Sequence, residues 1–497
     1  MPMLSKNRWW QVPMLVVLAL PLFLHLGRAP VSAWDEALFA MRAAYMAEEG
    51  HYLPDYDHWI PKGAFHPNSK PPFTTWIQVV FLKVFGINEL ALRLPVALAA
   101  LVTLLLFIWF FRRKMDCRPV GWTSAFVLVT TLGFVREHAA RTGDQDVPLA
   151  LYMLTGVMAF YLLLRSEEKK EQNKWWAVLA FSSIAAILTK YLFGALFMPG
   201  MLLYAAYKKK LPWLLRQRAL WMAVAAVLLV CGGWVAIMEW QRPGFAERVI
   251  FYEMLNRYST VIEEHQAPWN FYLLNLWNGY FQPWLWLLPV PLVMLFTKTD
   301  QRLKDLIVLL LLCAGVHLAV ISSSQTKVPH YEVVLYPLLA MLAGIGLWQL
   351  LATIKTNWAD ESQRPAMAAL ALVVLVFLFV KPYASVMQQV YKPRLTRDDY
   401  KYGYLFREIE AHHGDLKRFK LLAPVFEAQA VYYAGLFNRK KGYDIELEDF
   451  PKRVEVGDTI MVCNRDYIDF LFKNFRLQGL ASYEQCFVAR VEEKLVE

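Results

Sequence analysis

Long apolar runs alternate with short polar connectors along most of the chain. Residues 96–111 (VALAALVTLLLFIWFF), 219–237 (ALWMAVAAVLLVCGGWVAI) and 366–380 (AMAALALVVLVFLFV) contain no charged side chain. A helix needs roughly 20 such residues to cross a bilayer, and somewhat fewer or more when the bilayer thins or the helix tilts. On that measure the pattern predicts eleven spans, near 10–27, 92–111, 119–135, 147–164, 175–189, 191–207, 219–238, 279–297, 305–322, 331–351 and 366–381. The first run follows Lys6 and Arg8 and lacks a small-residue cleavage site behind it, so it reads as a retained helix. Residues 73–85 (FTTWIQVVFLKVF) are apolar but short and aromatic, which predicts a helix lying at the membrane interface.

Composition supports the pattern. Of 497 residues 57% are hydrophobic and only 19% charged, which excludes an ordinary soluble enzyme, a disordered chain and a disulfide-rich secreted scaffold. The net charge of +10 is concentrated in connectors such as 112–118 (RRKMDCR), 165–174, 208–218, 298–304 and 355–364, rather than along a stripe suited to nucleic acid. Placing the N-terminus in the cytoplasm puts these clusters inside, as the positive-inside bias requires. The exterior then receives the loops 28–91 and 239–278, short segments near 136–146, 189–191 and 323–330, and the tail. The expected architecture is a polytopic α-helical membrane domain over 1–381 with a small exterior α/β domain over 382–497. In that tail, helices are expected at 400–413, 427–437 and 466–475, and strands at 419–424, 457–463 and 485–491. The five cysteines show no zinc spacing; Cys463 and Cys486 share the tail, where a disulfide and two unpaired thiols are both open. No internal repeat is visible, which disfavours transporter folds built from two similar halves.

Ionisable residues beside membrane spans are costly and mark function, and here they gather on the exterior side. Trp34-Asp35-Glu36 opens an amphipathic stretch, 35–49, where Asp35 is either a helix cap or a general base. His66-Pro67-Asn68-Ser69-Lys70-Pro71-Pro72 presents Lys70 from a proline-stiffened turn, as a snorkelling lysine or as a cation at the depth of a lipid phosphate. Asp146, in Asp144-Gln145-Asp146-Val147-Pro148, caps the next span or joins a site, and Lys190 sits between two apolar runs where a lone charge needs a partner. The loop 239–278 offers Glu253, Arg257, Glu263, Glu264 and His265, and the next offers Lys327-Val328-Pro329-His330-Tyr331. Four cations from four segments, Lys70, Lys190, Arg257 and Lys327, beside Asp35 and Asp146, suit a phosphate whose hydrocarbon tail stays in the bilayer. No Walker loop, dinucleotide fingerprint or HExxH occurs.

At these residues the sequence resembles the GT-C class of membrane glycosyltransferases, in the protein O-mannosyltransferase-like group that includes the bacterial aminoarabinose transferase of lipid A. The resemblance lies in Trp34-Asp35-Glu36-Ala37, Ser69-Lys70-Pro71-Pro72, Asp146-Val147-Pro148-Leu149, Leu188-Thr189-Lys190 and Lys327-Val328-Pro329-His330-Tyr331, in the family's order over roughly 10–350. It implies a polyprenyl-phosphate-linked sugar as donor, a lipid, protein or glycan acceptor, and inverting transfer on the periplasmic face of the bacterial inner membrane, without nucleic acid. Carried over by position, Asp35 is the base and Asp146 supports it. Glu36, Lys70, Lys190, Arg257, Lys327, His330 and Tyr331 are the expected substrate-binding residues, and no cofactor is required. Relatives often carry a metal-binding acid before the Lys-Pro-Pro turn and an arginine three residues after the catalytic aspartate. This chain has Ser69 and Leu38 there, which leaves the metal open. The alternatives are a flippase or transporter of lipid-linked sugars, and a non-catalytic membrane subunit whose tail binds a partner.

Overall fold

The computed structural model describes residues 9–53, 69–136, 138–262, 265–358, 360, 362–392, 397–424, 427–483 and 486–495. Lys6, Arg8, His66, Pro67, Asn68, Glu263 and Glu264, named above, lie outside them. Among the described residues seven helices are long and apolar enough to cross a membrane: Glu89–Arg113, Asp146–Arg165, Lys169–Ala195, Arg218–Gln241, Gln301–Ser323, Pro329–Trp358 and Arg364–Tyr391. The protein is therefore a multi-pass membrane protein. The other four expected spans are shorter helices, Gln11–Phe23, Arg118–Val129, Met198–Tyr207 and Trp284–Met294. Prolines account for much of the shortening, with Pro21 inside the first and Pro283, Pro289 and Pro291 around the last. Arg118–Val129 ends where Thr130 and Thr131 turn their hydroxyls back onto the carbonyls of Phe126 and Val127. The expected interfacial helix is Phe73–Phe85.

Burial sorts these helices. The apolar stretch of Asp146–Arg165 is 83% buried and forms the centre, whereas Arg218–Gln241 is 6% buried and turns its apolar side chains outward, as a lipid-facing helix must. Close crossings depend on small residues: a Cβ on Gly344 would come within 2.6 Å of the Ser124 backbone, and Thr123 donates to the Gly344 carbonyl across this contact at 2.8 Å. At one end of the bundle Asp305 joins three helix termini, accepting from Lys208 at 3.0 Å and Arg165 at 3.3 Å. The helix Asp146–Arg165 runs from that end to the opposite one, where the expected site residues lie.

The tail folds as a five-stranded mixed sheet, β1 (Arg418–Leu422), β2 (Asp444–Glu448), β3 (Thr459–Val462), β4 (Phe475–Tyr483) and β5 (Cys486–Lys494), in the order β2-β1-β3-β5-β4. β1 is parallel to β2 and β3, while β5 runs antiparallel to β3 and β4. The two strands the sequence pattern misses, β2 and β4, are the edges of the sheet. Edge strands carry few apolar residues: DIELE alternates but has only two, and the alternation of FRLQGLASY is broken at Gly479, where the pairing register shifts. Cys463 and Cys486 form a disulfide that fastens the end of β3 to the start of β5, resolving the choice the sequence left open.

This sheet domain packs on the helix Asp35–Glu49. Ala37, Ala40, Met41 and Ala44 share a buried apolar cluster with Tyr402, Phe406, Tyr432 and Phe437. Tyr433 accepts from the Val31 backbone at 2.9 Å and donates to Glu89 at 2.8 Å, while Ala33 donates to the Asp399 carbonyl at 2.8 Å. The tail thus lies at the same end of the bundle as Asp35.

Candidate active site

A cavity of about 370 Å³ opens at this end of the bundle. Seven of the nine expected residues line it: Asp35, Lys70, Asp146, Lys190, Arg257, His330 and Tyr331. Each comes from the end of an element. Asp35 begins the helix Asp35–Glu49, Lys70 sits in the proline turn before Phe73–Phe85, Asp146 begins one central helix and Lys190 ends the next. Such positions hold a charge near the water boundary while its helix remains in the apolar layer. Of the six described non-glycine residues with positive φ, Trp34 (65°), His138 (55°) and Tyr191 (42°) adjoin or belong to the site.

Neither aspartate is a helix cap. Trp34 and Gln145 hold the cap positions, and no side-chain capping bond forms at either. Asp146 accepts from Lys190 at 2.7 Å, and the Lys190 ammonium also lies 4.9 Å from the Tyr331 ring and 5.0 Å from that of Phe193. This is the partner that Lys190 required. Burial opposes ionisation of Asp35, but the positive charge of His138, Lys70 and Lys190 around it works the other way and holds the carboxyl below its ordinary value. Asp35 is therefore an anion at neutral pH.

Lys70 and Arg257 meet at a carboxylate. Glu253 accepts from the Lys70 ammonium, receives the Ser69 hydroxyl at 2.5 Å and faces Arg257 Nε at 3.4 Å. Arg257 also directs NH1 toward the Tyr331 hydroxyl at 3.4 Å. Glu253 and Arg257 are one turn apart, at the end of a run, Val249–Asn256, wound as a π-helix, a geometry that recurs at functional sites. Burial works against a charge on Glu253, yet Lys70 and Arg257 prevail and hold it near 2.

Two expected substrate ligands do not line the cavity. Glu36 is fully buried, and its oxygens are taken up by the Arg93 guanidinium at 2.6 and 2.8 Å and by the backbone N–H groups of Ser32 and Gly143. It ties the segment before the Asp35 helix to the turn before Asp146, and so positions both aspartates. Lys327 is 7% exposed and donates to the Ser324 carbonyl, bracing its own loop. The cause is geometric: adjacent residues at a helix start point about 100° apart, so Asp35 and Glu36 cannot both face one cavity.

The sequence reading gave no role to His138 or Asp144. Their ring nitrogen and carboxylate lie 3.6 Å apart, and although burial disfavours its charge, Asp144 lifts His138 to about 9. Asp144 stands two residues before Asp146, a spacing that was visible in the sequence; His138 carried no signal. Ligating atoms of Asp35, His138 and His330 lie within 4.8 Å of one another, a donor set of the kind that takes a divalent cation. Ser69 offers a hydroxyl already bonded to Glu253.

Comparison with known proteins bears on this geometry. Residues 69–236 match the family described as dolichyl-phosphate-mannose-protein mannosyltransferase. Among curated proteins, undecaprenyl phosphate-alpha-4-amino-4-deoxy-L-arabinose arabinosyl transferases from Aeromonas salmonicida and Erwinia tasmaniensis are each 25% identical to the chain, over 54% and 72% of its length. The alignments span 49% and 63% of those relatives, so the chain matches about half to two thirds of their length. Among solved structures, ArnT from Cupriavidus metallidurans bound to undecaprenyl phosphate superposes with a TM-score of 0.72 over 97% of each chain at 18% identity. The oligosaccharyltransferase AglB from Archaeoglobus fulgidus superposes with a TM-score of 0.56, over 86% of this chain and 64% of its own.

Proposed function

We propose that the chain, a multi-pass membrane protein with the fold of ArnT from Cupriavidus metallidurans, is a GT-C glycosyltransferase of the aminoarabinose transferase kind and transfers a monosaccharide from a polyprenyl phosphate to a hydroxyl or phosphate acceptor. The observation that carries this reading is the convergence of Lys70, Arg257 and the Tyr331 hydroxyl beside ionised Asp35 in one cavity at the end of the bundle. Lys70 and Arg257 hold the donor's phosphate, whose lipid tail runs along the apolar walls Leu192, Leu196 and Val320. Asp35 takes the proton of an acceptor hydroxyl as its oxygen attacks the anomeric carbon. The bond from that carbon to the phosphate oxygen breaks with inversion, and the departing phosphate keeps the electron pair under the charge of the two cations. Asp146, neutralised by Lys190, fixes the floor of the cavity rather than acting as a second base.

A divalent cation held by Asp35, His138 and His330 would supply Lewis acidity to an oxygen of either substrate; no step above depends on one. The relatives' names give an undecaprenyl phosphate-linked aminoarabinose as their donor, and lipid A is one of the acceptor classes this reading admits. The expected division after residue 381 falls inside the helix Arg364–Tyr391, so the tail is taken to begin beyond that helix, and it packs over the Asp35 helix where it can contact an acceptor. The site and tail face the periplasm of a bacterial inner membrane: basic connectors collect at the other end of the spans, and the Cys463–Cys486 disulfide suits an oxidising compartment. A transporter would need ionisable groups near mid-membrane, and the charges of this site sit at one end.

Equilibrium binding of a polyprenyl phosphate to the purified protein tests the reading. Lys70→Gln and Arg257→Gln should each weaken binding about tenfold or more, the loss of a charge-assisted contact. Unchanged affinity in both variants would remove the phosphate site.

A further inference from the structure

The Glu253 carboxylate occupies the position of an oxyanion. One of its oxygens is shared between Lys70 and Arg257, and the other receives the Ser69 hydroxyl, so it makes the set of cationic and hydroxyl contacts expected of a bound phosphate. Its side chain is 7% exposed, yet it lines the same cavity as the two cations instead of pointing into the protein interior. Two cations on separate elements, brought this close, repel each other unless an anion lies between them.

We propose that Glu253 is an internal stand-in for the donor's phosphate, holding Lys70 and Arg257 together while the site is empty and competing with the incoming phosphate for both. The inference rests on the reading of Lys70 and Arg257 as the phosphate site. Glu253 acts through those residues and is a positioning residue. Its use follows from the charge change in the reaction. The donor is a phosphodiester with one negative charge, and breaking its sugar bond leaves a phosphomonoester that carries up to two. On two bare cations the product would be held more tightly than the donor. A carboxylate returning to the same cations weakens that grip and releases the lipid phosphate.

Binding of undecaprenyl phosphate to the full chain in lipid nanodiscs separates the possibilities. Glu253→Gln keeps the shape and removes the charge, so it should bind the lipid phosphate at least fivefold more tightly than the wild type. Ser69→Ala, which loses the hydroxyl that anchors Glu253, should shift affinity in the same direction by a smaller factor. A purely structural Glu253 would give equal or weaker binding in Glu253→Gln, and that result overturns the proposal. Should Glu253→Gln fail to fold, Ser69→Ala decides, and affinity no tighter than the wild type overturns it. Lys70→Gln in the same assay must weaken binding; if it does not, the phosphate site itself is misplaced and both readings fall.

Discussion

Asp35 and Glu36 are consecutive, and only the first faces the substrate cavity. Asp35 lines it among cations, whereas Glu36 is fully enclosed by Arg93 and two backbone N–H groups. On the proposed function the pair divides the work of catalysis and support, and its two members should fail in different ways.

Asp35→Asn should leave the protein folded and reduce transfer by roughly 10²–10⁴-fold, the usual worth of a general base. Glu36→Ala should strand the buried Arg93 guanidinium and cost about 3–5 kcal/mol of stability. Thermal unfolding in detergent beside a transfer assay checks both. Equal melting points for the wild type and Glu36→Ala would contradict the supporting role.

Lys190 and Asp146 form a buried pair at 2.7 Å. Neutralising either alone, as Lys190→Met or Asp146→Asn, leaves its partner uncompensated and should lower the melting point. The double variant should recover part of the loss. A double-mutant cycle with a coupling of about 1 kcal/mol or more is expected, and additivity of the two losses would contradict the pairing.

The pH dependence follows from His138 and Asp35. His138 is raised from 6.5 to about 9 by Asp144, so the stability it supplies is complete below about pH 6.5 and is lost as pH rises through about 9. Unfolding temperatures should decline over that interval, and His138→Gln should flatten the decline. Asp35, held below its ordinary value by the cations around it, stays ionised and should contribute no inflection to transfer between about pH 5 and pH 8.

Cys463 and Cys486 are bonded, while Cys117, Cys231 and Cys313 are free. Alkylation of denatured protein isolated without reductant should therefore label three cysteines, and five after reduction. Labelling of Cys463 and Cys486 without reduction would place the tail in a reducing compartment, against the proposed orientation.

Much of the site was legible because an apolar chain makes its charges conspicuous. Asp35, Lys70, Asp146, Lys190, Arg257, His330 and Tyr331 each adjoin an apolar run or a stiff turn, and the fold brings them together. The direction each side chain takes was not legible, since it depends on neighbours distant in sequence: Arg93 draws Glu36 inward, and the Ser324 carbonyl holds Lys327 in its loop. Glu253 was visible as a charge, but its role emerges only when Ser69 and Lys70, more than 180 residues away, are beside it. The tail's central strands were readable as short apolar runs, and its two edge strands were not, because they carry few apolar residues or a broken pattern.

The central claim is that this cavity moves a sugar off a polyprenyl phosphate. It is tested most directly by mass spectrometry of lipid A, glycoproteins and polyprenyl-phosphate sugars from cells lacking the protein, complemented with wild type or with Asp35→Asn. The account predicts that the wild type alone restores the glycosylated acceptor, while the Asp35→Asn cells accumulate the donor lipid. Identical acceptor and donor profiles in all these cells, or full restoration by Asp35→Asn, would contradict it.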